Sequence, residues 1–232
     1  MWQRMPTTHV FYHRSPLHNK NYVLSWAFSF DLEGEVYQFA MCQPYSYSRH
    51  LLYLQNLFSN SYKFIHRDVL GLSVMEREID LITISHPNNL LHRIQHDGDN
   101  PRKVKVVFIL GRVHPGETPS SFVIQGFIDF LTSSHEVAIC LREHIVFKIV
   151  PMLNPVGVFL GNQRCNLLGQ DLNRAWADTQ RLLHPELDQL KKQLLYYDNH
   201  PTYKLDMVLD VHAHTALTGL FIYGNSYEDV YR

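Results

Sequence analysis

A histidine and a glutamate stand three positions apart in G-R-V-H-P-G-E-T-P-S-S, residues 111–121, on either side of a Pro-Gly pair and just after an apolar run. A turn accounts for the proline and the glycine. It does not account for His114 and Glu117, whose ring nitrogen and carboxylate oxygen can both bind a divalent cation. Near the other end of the chain, D-V-H-A-H (residues 210–214) closes a second apolar run and supplies His212. Two donors close together on one loop and a third on a distant strand end match a catalytic zinc site, which takes three protein ligands from His, Asp and Glu and keeps one position for water.

H-x-x-E by itself arises often by chance, so the distant histidine is what gives the pattern weight. Other readings of D-V-H-A-H remain open. Side-chain alternation puts Asp210, His212 and His214 on one face while the strand lasts, either as a polar strip at a sheet edge or with His214 as a rival ligand. An H-x-H pair made of His212 and His214, as in barrel hydrolases, would leave His114 and Glu117 without a role. Between the two segments, G-N-Q-R-C-N-L-L-G-Q-D-L-N-R-A-W (residues 161–176) brings Arg164, Asp171, Asn173 and Arg174. A planar guanidinium beside a carboxamide suits the gripping of a carboxylate. The two arginines could equally be solvated surface cations; their place between two ligand segments favours function.

These side chains need a scaffold. V-K-V-V-F-I-L (104–110), H-I-V-F-K-I-V (144–150) and L-D-M-V-L-D-V (205–211) are apolar runs of strand length, with a further strand at I-D-L-I-T-I (79–84). Helical spacing of apolar residues marks S-R-H-L-L-Y-L-Q-N-L-F, then residues 120–131 with Thr118 or Ser120 as cap, then Pro185 to Tyr197. The polar stretch from His86 to Arg102 reads as a loop. Strands alternating with helices predict an α/β sheet with helices on its faces, and ligands of such sheets collect beyond the carboxyl ends of the strands. His114, Asn154 and His212 each follow one. Ahead of this unit, Tyr22 to Met41 reads as two aromatic-rich strands joined by a turn at Asp31 to Glu35. Two strands are marginal alone, so residues 1–43 read as the end of a β domain.

Composition excludes several classes. With 21 basic and 22 acidic residues the net charge is −1, so no bulk field favours nucleic acid or an anionic membrane. No apolar run is long enough to cross a bilayer. Cys42, Cys140 and Cys165 are scattered and form no C-x-x-C pair, which argues against a disulfide framework and for a reducing compartment. Most of the fifteen histidines, among them His13, His18, His50, His92 and His96, have polar neighbours and read as surface residues.

Taken together and in order, H-P-G-E-T-P-S-S, N-P-x-G-V, G-N-x-R-C, D-L-N-R and D-V-H-A-H resemble the cytosolic carboxypeptidases of the zinc carboxypeptidase superfamily. Those enzymes trim glutamates from tubulin tails, and the resemblance is nearest to the branch that shortens polyglutamate side chains. It extends to Y-Q-F-A-M-C-Q-P-Y-S-Y-S, which is similar to that family's junction between an N-terminal β domain and the catalytic domain.

The resemblance implies a mixed α/β sheet with helices on both faces over residues 44–232, preceded by the end of an N-terminal β-sandwich domain in residues 1–43. It implies one zinc per chain on His114, Glu117 and His212. Arg164 would stabilise the oxyanion, Asn173 and Arg174 would hold the substrate's terminal carboxylate, and Asp171 would orient His114. Implied partners are polyglutamylated tubulin tails or other glutamate-ended proteins, in the cytoplasm and at the cytoskeleton.

Two departures stand out. Val156 replaces the aspartate of the family's N-P-D-G, from which local loosening is expected. The family's general-base glutamate lies on a strand well beyond the last zinc ligand, whereas only Glu228 and Asp229 follow His212 here, and both read as surface residues. On this reading the chain lacks both ends of the family's two-domain unit, including the C-terminal part of the catalytic domain, and turns over poorly. Two alternatives accompany it: a module that binds zinc and a carboxylate without turnover, and a zinc deacylase of N-acyl amino acids.

Overall fold

The computed structural model describes residues 2–91, 95–97 and 100–225. The chain divides into two compact units, Met1–Pro44 and Tyr45–Arg232. In the first, β1 (Val10–Arg14) pairs antiparallel with β2 (Tyr22–Trp26), in register Val10↔Trp26 and Arg14↔Tyr22. The second is built on a five-stranded sheet.

The hairpin expected over Tyr22 to Met41 is therefore only half present. β2 is a strand, but its partner precedes it, and residues 27–46 contain no strand. The chain does reverse near Gly34, which has a φ of +79°. Its two arms meet through rings: Phe28 packs on Phe39 at 5.1 Å between centroids and Phe30 on Tyr37 at 5.1 Å. Aromatic alternation was legible, but here it marks side-chain stacking and not a backbone ladder.

The larger unit has strand order β3-β4-β8-β7-β9, with β3 Ile65–Leu72, β4 Glu78–Ile84, β7 Val104–Gly111, β8 Ile145–Val150 and β9 Tyr203–Val211. β7 runs parallel to both β8 and β9, whereas β4 is antiparallel to β3 and β8, so the sheet is mixed. Strand β7 is apolar at almost every position because both its faces are covered. Val106, Phe108 and Leu110 point into a core closed by Leu187, Leu190 and Tyr197 of helix α5 (Pro185–Asp198). Val107 and Ile109 point the other way, against Leu54 and Leu57 of α1 (Tyr47–Ser59) and Ile124, Ile128 and Leu131 of α2 (Thr118–Thr132). Helices thus cover both faces, as expected. Ser46 caps α1 by accepting from the Arg49 amide.

Several details differ from expectation. The segment from His86 to Arg102 is not wholly a loop: Pro87–Leu90 is a 3₁₀ turn, and β5 (Gln95–Asp97) pairs with β6 (Asn100–Arg102). Helix α2 starts earlier than its apolar pattern does. Glu117 occupies the cap position without a side-chain cap bond, and the Ser120 hydroxyl instead accepts from the Arg112 amide.

Strand β3 carries His66, Arg67 and Asp68 on a mostly exposed edge, which hid it. Two short helices, α3 (Glu136–His144) and α4 (Pro155–Leu160), were also not foreseen. His50 is buried, not at the surface; its Nε2 lies 3.0 Å from Asp80, whose other oxygen accepts from Arg67. A histidine on the inner face of α1 can be buried because the carboxylate of β4 satisfies it. His92, Glu228 and Asp229 lie outside the described residues.

Candidate metal centre

Strand register explains how residues almost a hundred positions apart meet. Gly111 pairs with Val211 at the carboxyl ends of parallel β7 and β9, so the loop after β7 and His212 leave the sheet side by side. On the other flank, β8–β7 pairing continues past the last strand residue: Leu153 N donates to the Gly111 carbonyl and Asn154 N to that of Arg112. Two glycines permit the close approach of three loops. A Cβ at Gly116 would lie 2.7 Å from the Gln163 carbonyl oxygen, and one at Gly157 would lie 2.3 Å from Pro115 Cγ. Val156, where loosening was expected, is 1% exposed and sits in the first turn of α4, whose cap residue Asn154 accepts from Gly157 N through Oδ1.

Donor atoms of His114, Glu117 and His212 all lie within 4.8 Å of one another. His114 Nδ1 is 2.8 Å from Glu117 Oε1, and His212 Nδ1 is 2.8 Å from Glu117 Oε2. The outer ring nitrogens are held by carboxylates: His114 Nε2 by Asp171 at 3.0 Å and His212 Nε2 by Asp210 at 2.7 Å. A carboxylate on the far nitrogen fixes the ring's orientation and tautomer, which is how ligating histidines are typically supported. Both Nδ1 atoms then face inward beside a carboxylate. Two nitrogens and one oxygen form a donor set that suits zinc at a catalytic site.

Charge balance agrees with the geometry. Burial by itself would raise the Glu117 carboxyl, but hydrogen bonds from His212 and the Ala213 amide, with the two imidazoles nearby, hold it below the usual range. Asp171 is likewise lowered against the effect of burial, by His114, Arg164 and the Asn173 amide. Bonds to Asp210 and then Glu117 push His212 up to about 10. The cluster thus holds carboxylates ready to accept positive charge.

The remaining expected residues fall around this cluster. Arg164 Nε donates to Asp171 Oδ2 at 2.7 Å, with the guanidinium about half exposed. Asn173 does not face open solvent: its Nδ2 lies 2.9 Å from both Asp210 and His212 Nε2, and its Oδ1 accepts from Trp176 Nε1 at 2.8 Å. Arg174 is exposed and donates to the Asn173 carbonyl. His214 is not in the cluster, because β9 ends at Val211 and the alternation that would align it ends there too. Its Nδ1 instead accepts from the amides of Ala216 and Leu217. The support given by Asp210, Trp176 and Asn154 was missed in the sequence. The D-x-H spacing was the signal for Asp210 and the place just after a strand that for Asn154, while Trp176 carries none.

A model of the zinc carboxypeptidase family matches residues 51–229. Cytosolic carboxypeptidase 6 of Homo sapiens is 50% identical over 98% of this chain and 44% of its own length. That of Caenorhabditis elegans is 43% identical over 97% of this chain and 47% of its own. The chain thus spans less than half the length of these curated relatives. Among solved structures, the metallo-carboxypeptidase of Burkholderia cenocepacia superposes with a TM-score of 0.60 at 28% identity, over 74% of this chain and 42% of that one. The metallo-carboxypeptidase of Pseudomonas aeruginosa, in complex with (2-guanidinoethylmercapto)succinic acid, gives 0.58 at 28% identity, over 74% and 40%. With more than half of the chain matched by the family model and half of its residues shared with a human relative, the chain belongs to the zinc carboxypeptidase family, among the cytosolic carboxypeptidases.

Proposed function

We propose that His114, Glu117 and His212 hold one zinc ion in a metallocarboxypeptidase that removes glutamates from the C-terminal ends of polyglutamylated proteins, tubulin tails among them. The convergence of three inward donors, with Asp171 and Asp210 behind the two imidazoles, is the observation that carries this reading. When bound, zinc supplies a Lewis acid for the scissile carbonyl and lowers the pKa of a water towards ~7. Arg164, held by Asp171 beside His114, supplies a fixed cation for the charge that develops on the carbonyl oxygen. Arg174 offers its exposed guanidinium to the terminal carboxylate. Asn173, already bonded to Asp210 and Trp176, steadies that grip through its carbonyl.

A glutamate-ended tail brings several carboxylates, and two guanidiniums near the centre suit that charge. The Pseudomonas aeruginosa relative is bound to a succinic acid derivative, itself a dicarboxylate. For localisation we favour the cytoplasm, with association to the cytoskeleton through the substrate. The relatives' names include the word cytosolic, and no described helix is long and apolar enough to cross a membrane.

Binding is the sharper test, since the chain spans less than half of its relatives. With zinc present, Arg174→Ala should weaken a glutamate-ended peptide by ~1.5–3 kcal/mol, the range for a hydrogen bond to a charged group. The amidated peptide should already lack that contact in the parent chain. Equal affinity of the parent for free-acid and amidated peptides, measured by fluorescence anisotropy, would remove the carboxylate pocket. Chelator-sensitive release of glutamate from polyglutamylated tubulin tests the reaction itself.

A further inference from the structure

Arg112 follows strand β7 and is 2% exposed, although arginine is seldom buried unless its charge is satisfied. Its φ of +54° places it in the left-handed region, where an L side chain is strained and glycine would fit freely. Strain kept at a buried charged residue calls for a compensating contact, and the guanidinium makes several. Nε and Nη2 both donate to the Pro115 carbonyl, at 3.1 and 2.7 Å. Nη1 donates to the Tyr45 carbonyl at 3.0 Å and to Ser121 Oγ at 2.9 Å.

The gripped carbonyl belongs to the residue between His114 and Gly116, on the short path from His114 to Glu117. Each backbone carbonyl from Gly111 to Pro115 has a partner: Leu153 N, Asn154 N, Asn154 Nδ2, Glu117 N and the Arg112 guanidinium, in that order. Only the last of these is a charged, planar fork, and it ties the loop to Tyr45 ahead of α1 and to Ser121 in the first turns of α2. We infer that Arg112 is a positioning residue that fixes the span between His114 and Glu117 by holding the Pro115 carbonyl. This rests on the reading of those two residues as zinc ligands.

Two parallel N–H bonds to one oxygen require the guanidinium plane, which an ammonium cannot supply. Loss of such a support typically weakens metal binding ~10–100-fold. Zinc affinity of the 232-residue chain would be measured by competition with a chromophoric chelator, at a temperature where each variant is folded by circular dichroism. The visible spectrum of the cobalt-loaded form would report ligand geometry. Arg112→Lys should weaken zinc ~10–100-fold and alter the cobalt bands. Leu57→Ala, in a core cluster that includes no residue of the 111–117 loop, should lower thermal stability but leave zinc affinity and cobalt bands as in the parent.

Zinc affinity of Arg112→Lys within about twofold of the parent overturns the proposal. Should that variant not fold, Ser121→Ala decides, since it removes one acceptor of Nη1. A loss of about two- to fivefold supports the role of Arg112, and an unchanged affinity overturns it. Failure of the parent chain itself to bind zinc would instead overturn the metal centre, and this inference with it.

Discussion

Replacing His212 with alanine is expected to weaken zinc binding by about a hundredfold or more, while His214→Ala leaves it within about twofold. Structural zinc sites bind with apparent free energies of about 10–16 kcal/mol spread over four ligands, or roughly 3 kcal/mol each, and such a loss is two decades in affinity. His212 faces Glu117 through Nδ1 and is braced by Asp210 through Nε2, so its ring is already aimed at the cluster. His214 spends its Nδ1 on the turn that follows β9. Competitive titration of both variants separates the alternatives cleanly. Equal losses would restore the H-x-H reading.

The second large effect concerns stability and lies away from the centre. Glu186, in the first turn of α5, is 1% exposed, and its Oε2 has no hydrogen-bond partner. Burial pushes its carboxyl up to about 7, against a small opposing pull from its own amide. The unfolded chain loses that proton near 4.5. Between those values the folded form binds one more proton than the unfolded form, so the contribution to stability is complete below about pH 4.5, declines as pH rises and is lost above about 7. At 1.36 kcal/mol per pKa unit, the window is worth on the order of 3 kcal/mol.

Glu186→Gln is neutral throughout and should remove this slope. Relative to the parent it should gain about 2–3 kcal/mol between pH 4.5 and pH 8, as read from urea unfolding in the presence of a chelator. Every other titratable group is common to both proteins, so the difference isolates Glu186. A parent-to-variant difference that stays constant with pH would contradict the account.

How far the sequence foretold the molecule depended on whether a signal was local. β7 and β8 were legible because both their faces are buried and their runs are nearly pure in apolar residues. α1 and α5 were legible from apolar spacing. β3 was not, since an edge strand tolerates His66, Arg67 and Asp68 on its open side. The start of α2 was misplaced because Glu117 is held by His114, His212 and the Ala213 amide, leaving the cap position without a side-chain bond. In the first unit, aromatic alternation was the same for a ladder and for stacked rings, and tertiary packing chose the latter.

At the centre, the spacing of His114, Glu117 and His212 could be read, as could Asp171 behind His114, whereas the rest of what aims them could not. The brace from Asp210 depends on the end of β9. The grip of Arg112 on Pro115 depends on a left-handed backbone that no residue type announces. The turning of Asn173 towards Asp210 depends on Trp176 from the same loop.

The central claim is that one zinc ion sits among His114, Glu117 and His212, and anomalous diffraction at the zinc edge tests it most directly. Crystals of the zinc-loaded chain should give a single strong peak about 2.0–2.2 Å from the Nδ1 atoms of His114 and His212 and from a Glu117 carboxylate oxygen. A peak shared by His212 and His214, or zinc bound elsewhere with this cluster empty, would contradict it.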